Sequence, residues 1–233
     1  MLPYSVPELV YWPGLPGCGE FVRLVFEHLR VAFRDTRDAA SVARVKQESS
    51  DTFAPPFLLL NGKVFNQTAA IAAQLWELHR PNETVNKFVL LQSALFIMDV
   101  VKEVHDTHHP ISTGLYYEDQ KTEAVLASKN FFKVRVPVLL GFLLRQLGDK
   151  KYLFDDSAPR YPDLFLFQLI RGLQHAFPNR TRAIEKDYLA LFQLADRIGN
   201  EDEGIRLYCA SERRQPFTLH GIFRHYPELD ILE

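Results

Sequence analysis

Residues 54–75 read APPFLLLNGKVFNQTAAIAAQL, and their punctuation decides the fold. Pro56 to Leu60 and Lys63 to Phe65 are two short β-prone runs. They are joined by Asn61-Gly62, a pair that tolerates the positive φ angles of a two-residue type I′ turn. Thr68 to His79 then places Ile71, Leu75 and Leu78 on one helical face. The upstream chain supplies the rest of a small α/β layer. Glu8 to Trp12 reads as a strand, broken by Pro13-Gly14-Leu15-Pro16-Gly17. Gly19 to Arg30 carries Phe21, Leu24, Val25 and Leu29 at helical spacing, Val31 to Asp38 reads as a second strand, and Ala39 to Glu48 as a helix. The order β-α-β-α-β-β-α over residues 1–80 is that of a thioredoxin-like α/β unit.

Beyond Pro81 and a linker at 80–86, strand signals stop. Thr84 to Asp106 and Lys121 to Leu147 are long helical patterns, the second with a kink expected at Pro137. Pro162 to Ala176, Thr181 to Ile198 and Gly204 to Ser211 are shorter ones. Residues 86–233 therefore read as an all-α domain. The tail from Arg213, with Phe217, Phe223, His225 and Tyr226, is too aromatic to be a disordered segment and is expected to pack back over the site.

The whole-chain figures narrow the function classes. The 233 residues are 47% hydrophobic and 24% charged, with a formal net charge of −2. That balance suits a globular protein and gives no bulk attraction to nucleic acid or an anionic membrane. No apolar run reaches the roughly 18 residues that span a bilayer. The start MLPYSVPELVYWPGLPG lacks the basic and apolar regions of a secretory signal. Cys18 and Cys209 form no disulfide framework, so a reducing, cytoplasmic location is expected.

Tyr11 at the end of the first strand, Pro56, the Asn61-Gly62 turn and Gln67-Thr68-Ala69-Ala70-Ile71 together resemble the N-terminal domain of the cytosolic glutathione transferases of the tyrosine-dependent kind (sigma, alpha, mu and pi). Gly19-Glu20-Phe21-Val22-Arg23-Leu24 is similar to that family's first helix, and Tyr161-Pro162-Asp163-Leu164 to the start of its buried C-terminal helix. The resemblance spans nearly the whole chain. It implies a homodimeric detoxification transferase that conjugates the glutathione thiolate to a hydrophobic electrophile, with glutathione as co-substrate and no metal.

The resemblance also assigns roles. Tyr11 would donate a hydrogen bond to the thiolate, which an unassisted thiol of pKa near ~8.5 forms only to a few per cent at neutral pH. Tyr4, ahead of the strand, is the weaker choice for that task. Pro56, with Phe57 after it, would present backbone to the cysteinyl unit. Gln67 and Thr68, at a helix N-terminus whose N–H groups suit a carboxylate, would hold the γ-glutamyl end. The bland alternative is that Thr68 merely caps the helix. Lys46 would meet the glycyl carboxylate, and Asp106, with Glu103 as the second candidate, would reach across a dimer to the γ-glutamyl amine. Trp12, Leu15, Tyr116 and Tyr117 would line the electrophile pocket.

The pattern departs from the family at three places. Pro55 precedes Pro56 and has no N–H, so one bond to the peptide is missing, and either proline could be the cis residue. Arg160 stands where the family's buried helix carries a capping Ser or Thr. Cys18 occupies a position where tyrosine-dependent relatives carry an arginine. Placed before a helix, where the dipole depresses a thiol pKa, Cys18 supports a rival reading as the nucleophile of a glutathione thiol transferase or reductase. A third reading is a binding protein that keeps the fold without catalysis. His105 and His109 stand at i and i+4, a spacing that can pair on a metal, but no third ligand and no HExxH pattern is evident beside them.

Overall fold

The computed structural model describes residues 6–232; Tyr4 lies outside them. Four strands, β1 (Glu8–Tyr11), β2 (Arg34–Arg37), β3 (Phe57–Leu60) and β4 (Lys63–Asn66), form one sheet in the order β2-β1-β3-β4. β1 runs parallel to β2 and antiparallel to β3, and β3 and β4 form the hairpin. Asn61 and Gly62 both have positive φ, 50° and 74°, as a type I′ turn requires. The alternation of side chains along a strand sorts the layer. Leu9, Leu58 and Leu60 face the core shared with α1 (Gly17–Leu29) and α3 (Thr68–His79), while Val10 and Phe57 meet Val42 and Val45 of α2 (Ala39–Glu48) on the other side. Tyr11, two residues after Leu9, is thereby aimed at α1.

The helical part comprises α4 (Lys87–Asp106), α5 (Lys121–Asn130), α6 (Val136–Leu147), α7 (Tyr161–Ala176), α8 (Pro178–Ile184), α9 (Leu189–Glu201) and α10 (Glu203–Cys209). The fold class is the expected one, a thioredoxin-like α/β unit followed by an all-α region, and the differences lie at element ends. The second strand is only Arg34–Arg37, because Arg30 turns left-handed (φ 55°) and the Val31 N–H still closes onto the Phe26 carbonyl. Helix α4 starts at Lys87 rather than Thr84, where the Asn86 side chain accepts the Phe88 N–H. In the Lys121–Leu147 stretch the break comes before Pro137. A wide π turn at Phe131–Arg135 separates two helices and holds Lys133, whose carbonyl a regular helix would offer to the N–H that Pro137 lacks. A 3-10 turn at Glu185–Tyr188 likewise splits the pattern read as one helix from Thr181.

Helix α7 is buried along almost its whole length and is the axis of the helical region. Its start has lost the side-chain half of a capping box and kept the other half. The Asp163 carboxylate accepts the N–H groups of Arg160 (2.8 Å) and Leu153 (2.7 Å) in the interior. The Arg160 side chain, freed from capping, bonds Glu83 in the linker (2.9 Å) and Asp155 (2.7 Å). Glu83 in turn accepts the Trp76 indole N–H of α3 (3.0 Å). One arginine thus ties the linker to the central helix, while Trp76 ties it to the α/β layer.

The tail packs back, but onto the helical region rather than over the Tyr11 site. The Ser128 hydroxyl donates to the Leu229 carbonyl, Asp230 accepts the N–H groups of Asn179 and Arg180 at the start of α8, and Phe223 lies against Gly172 of α7. None of the described helices is long and apolar enough to cross a membrane.

Candidate functional site

The site is built where β1 runs out against the first turn of α1. The Tyr11 ring lies over Gly17 and Gly19, where a Cβ would come within 2.7 Å and 2.8 Å of ring carbons, so only glycine leaves room for it. The phenol oxygen accepts the Cys18 N–H at 2.8 Å, one of the donors that the first turn of any helix leaves unpaired. Burial holds the Tyr11 hydroxyl well above its ordinary pKa, more than offsetting the N–H groups of Cys18 and Gly19 and the nearby Arg23 charge. At neutral pH it is therefore a neutral phenol with a proton to donate.

The Cys18 thiol lies beside the Tyr11 and Thr68 hydroxyls, so three residues singled out in the sequence converge on one point. Burial pushes the Cys18 thiol up to about 11, with those hydroxyls pulling the other way. The rival reading of Cys18 as an activated thiolate draws no support from this upward shift. Thr68 is the first residue of α3 and buried, while the exposed Gln67 holds the cap position without a side-chain capping bond. Thr68 is therefore not the helix cap of the bland alternative. Gln67 has φ 71° and ψ 114°, a region a residue with a Cβ occupies at a cost of order 1–3 kcal/mol, and such cost concentrates where ligands are held.

Across from α3, the Pro55–Pro56 bond is cis, which settles the choice between the two prolines in favour of Pro56. Pro56 and Phe57 are buried, and Pro55 is half-buried with only its carbonyl to offer. Lys46 is exposed in the last turn of α2.

The remaining expectations separate from this centre. Trp12 is exposed and Leu15 half-buried on the loop between β1 and α1. Tyr116 is 80% exposed. Tyr117, expected to line the electrophile pocket, is buried and committed elsewhere. Its ring stacks on Tyr226 at 3.6 Å and its hydroxyl donates to Glu228 at 2.9 Å, so it anchors the tail instead of lining an open pocket. The Asp106 carboxylate is taken by Lys102 and His105 of its own chain, and Glu103 is bonded twice by Arg135.

Sequence reasoning missed Arg23. It is fully buried, with its guanidinium 5.7 Å from the centre of the Tyr11 ring, and it bonds Asp35 (2.9 Å) and the Pro16 carbonyl (3.1 Å) and pairs with Glu20 (3.4 Å). Glu20 also accepts the Tyr208 hydroxyl of α10 at 3.0 Å. Removing one partner from a buried pair of this kind costs about 3–5 kcal/mol, because it strands the other charge. The signal available was the Glu20-x-x-Arg23 spacing inside an otherwise apolar helix.

A second constellation lies at the far end of α4. There the last turn tightens, with His108 and His109 N–H groups bonding the His105 and Asp106 carbonyls at 3.3 Å each. A turn closed by i to i+3 bonds brings residues three apart over one another. His105, His108 and His109 consequently converge, with ring centres 4.9–5.0 Å apart. This corrects the expectation that no third ligand accompanies His105 and His109. Burial holds all three imidazoles below their ordinary pKa, His108 down to about 3.

The half-buried Cys18 thiol makes a test. Alkylation of Cys18 by iodoacetamide, followed on its own peptide by mass spectrometry, is expected to rise about tenfold per pH unit from pH 7 to 10 without levelling off, since only the thiolate reacts. A plateau below pH 8 would show an activated thiolate and contradict the geometry.

Comparison with known proteins places this architecture. Residues 105–212 match the sequence model of the glutathione S-transferase C-terminal domain. No curated protein sequence matches the chain. Among solved structures, the chain is similar to a sigma-class glutathione transferase of Fasciola hepatica (17% identity, covering 91% of this chain and 98% of that one, TM-score 0.71). It is also similar to rat hPGDS complexed with a quinoline (19%, 92% and 99%, TM-score 0.66). A third is monomeric Na-GST-3, a glutathione S-transferase from the hookworm Necator americanus (17%, 91% and 100%, TM-score 0.65). At these identities the structures speak for the fold alone. Residues 105–212 thus carry the signature of a glutathione S-transferase C-terminal domain, and the chain as a whole shares the glutathione transferase fold.

Proposed function

We propose that the chain is a glutathione transferase that binds the tripeptide between the Pro55–Pro56 lip and the start of α3, and conjugates its thiolate to a hydrophobic electrophile. The observation that carries this reading is the Tyr11 phenol seated against the first turn of α1, its oxygen accepting the Cys18 N–H at 2.8 Å. A phenol whose oxygen accepts a helix N–H keeps its own proton free to donate, here beside Thr68 and the Cys18 side chain. An incoming glutathione sulfur takes the place beside the Tyr11 hydroxyl when the Cys18 side chain turns away. The neutral phenol then donates to the developing thiolate and lowers its pKa, as a fixed donor favours the charged form. Gln67, Thr68 and the open first turn of α3 receive the γ-glutamyl carboxylate. Lys46 meets the glycyl end. The Pro55 carbonyl accepts from the cysteinyl N–H, and the absence of a Pro55 N–H weakens binding by roughly 0.5–1.5 kcal/mol. Trp12 and Leu15 border the electrophile.

One observation favours a second reading. A Cys18 side chain beside the proposed sulfur seat is what a non-catalytic member would show. The thiol reductase reading is weakened by a Cys18 thiol that stays protonated near neutral pH. Steady-state kinetics with glutathione and an activated aryl halide separate the three. Tyr11→Phe is expected to lower kcat/KM on the order of 10²-fold, and Cys18→Ala to lower the KM for glutathione severalfold while sparing kcat. Full activity in Tyr11→Phe with a dead Cys18→Ser variant would establish the reductase; no turnover in wild type or Cys18→Ala would leave the binding protein.

A homodimer completes the proposal. Phe88, Val89, Leu95, Val138 and Phe142 leave an apolar face on α4 and α6, and Phe53, 81% exposed, projects before the proline lip. Between the two helices a groove of about 410 Å³ is lined by Val89, Phe96 and Phe142 together with Gln92, Ser93, Arg145 and Gln146. Exposed apolar side chains grouped on two neighbouring helices suit an association surface. Sedimentation at micromolar concentration is expected to give twice the chain mass, with Phe142→Glu monomeric; a wild-type monomer would refute the assembly.

A further inference from the structure

The three histidines at the end of α4 are not explained by glutathione chemistry. We propose that His105, His108 and His109 form a mononuclear binding site for a zinc-class divalent cation. Their ligand atoms lie within 4.8 Å of one another. In a tetrahedral zinc site with Zn–N bonds of ~2.0–2.1 Å, the nitrogens stand about 3.4 Å apart. Rotation of the imidazoles, of which His105 keeps 24% of its side chain exposed, closes the difference.

The surroundings fix which nitrogen each ring offers. The buried His108 donates Nε2–H to the Ile222 carbonyl at 2.9 Å, and its Nδ1, also buried, has no hydrogen-bond partner. A lone pair left unsatisfied in the interior costs about 1–3 kcal/mol unless something binds it, and a cation is what a lone pair binds. His105 turns Nδ1 toward the Asp106 carboxylate at 3.4 Å, leaving Nε2 for the metal, with a carboxylate behind the ligand as metal-binding histidines commonly have. The His109 Nδ1 accepts a Gln120 amide N–H at 3.1 Å, a bond that an ion on the same lone pair would displace. Gln120, fully buried, is held in turn by the Ile111 N–H and the Ser112 carbonyl.

Three neutral nitrogen donors suit zinc, copper or nickel and not calcium or magnesium, which take oxygen. The fourth position opens on the solvent side, where His105 is exposed. The Arg224 guanidinium, held by the Gly221 carbonyl, faces the cluster and repels a cation. Asp106 offsets that charge in part. Because His108 is bonded to Ile222, an ion here also fastens the end of α4 to the tail.

The test uses the full chain stripped with a chelator and titrated calorimetrically with zinc chloride. One equivalent is expected to bind saturably. His105→Ala and His109→Ala should each weaken binding at least tenfold, and Arg224→Gln should tighten it. His105 is partly exposed, so its replacement leaves folding intact even if the His109 variant does not. The cobalt-loaded protein should show the intense visible bands of a tetrahedral ion, diminished in His105→Ala. No saturable one-to-one binding, or binding unchanged in both histidine variants because the zinc sits elsewhere, would overturn the proposal.

Discussion

The arrangement depends on one contact: the Tyr11 ring laid into the first turn of α1. It requires two glycines, since any Cβ at 17 or 19 would occupy the ring's place. It also requires the strand alternation that turns Tyr11 toward α1 and not α2. The reward is a phenol oxygen that satisfies a helix N–H and a phenol proton that must go elsewhere. Everything read as chemistry follows from where that proton points.

The seat is held from behind by charge. Arg23 stands beneath the ring and is balanced by Asp35, which Arg37 also bonds, and by Glu20, to which Tyr208 donates. A buried network of this kind adds little net stability compared with apolar packing, but it is intolerant of losing a member. Its role is positional. It binds the α/β layer to α10, just as Arg160 and Glu83 bind the linker to α7. Both joints fix how the α/β layer sits against the helices facing it.

How much of this was legible in the sequence follows from the range of each interaction. The hairpin, the helix from Thr68 to His79 and the strand ending at Tyr11 were readable because turn residues and apolar spacing act locally. Short polar strand β2 was drawn too long, since its limit is set by the left-handed Arg30 and not by its own composition. The break near Pro137 was placed inside the helix, because a π turn upstream absorbed the missing N–H. The helix N-terminus before Cys18 was legible from spacing, but the desolvation that raises its pKa comes from packing. Tyr117 and the third histidine escaped for one reason. Both depend on contacts with a tail or a tightened turn that no period in the sequence announces.

Tyr11 and Thr68 are proposed to define the seat of the glutathione sulfur, next to the Cys18 side chain. A crystal structure of the glutathione complex tests it most directly. The account expects the tripeptide's sulfur within hydrogen-bond reach of the Tyr11 hydroxyl, its γ-glutamyl carboxylate at the start of α3, and the Cys18 side chain rotated away. A peptide bound elsewhere, or a groove in which the Cys18 side chain still lies beside the Tyr11 and Thr68 hydroxyls at saturating glutathione, would contradict it.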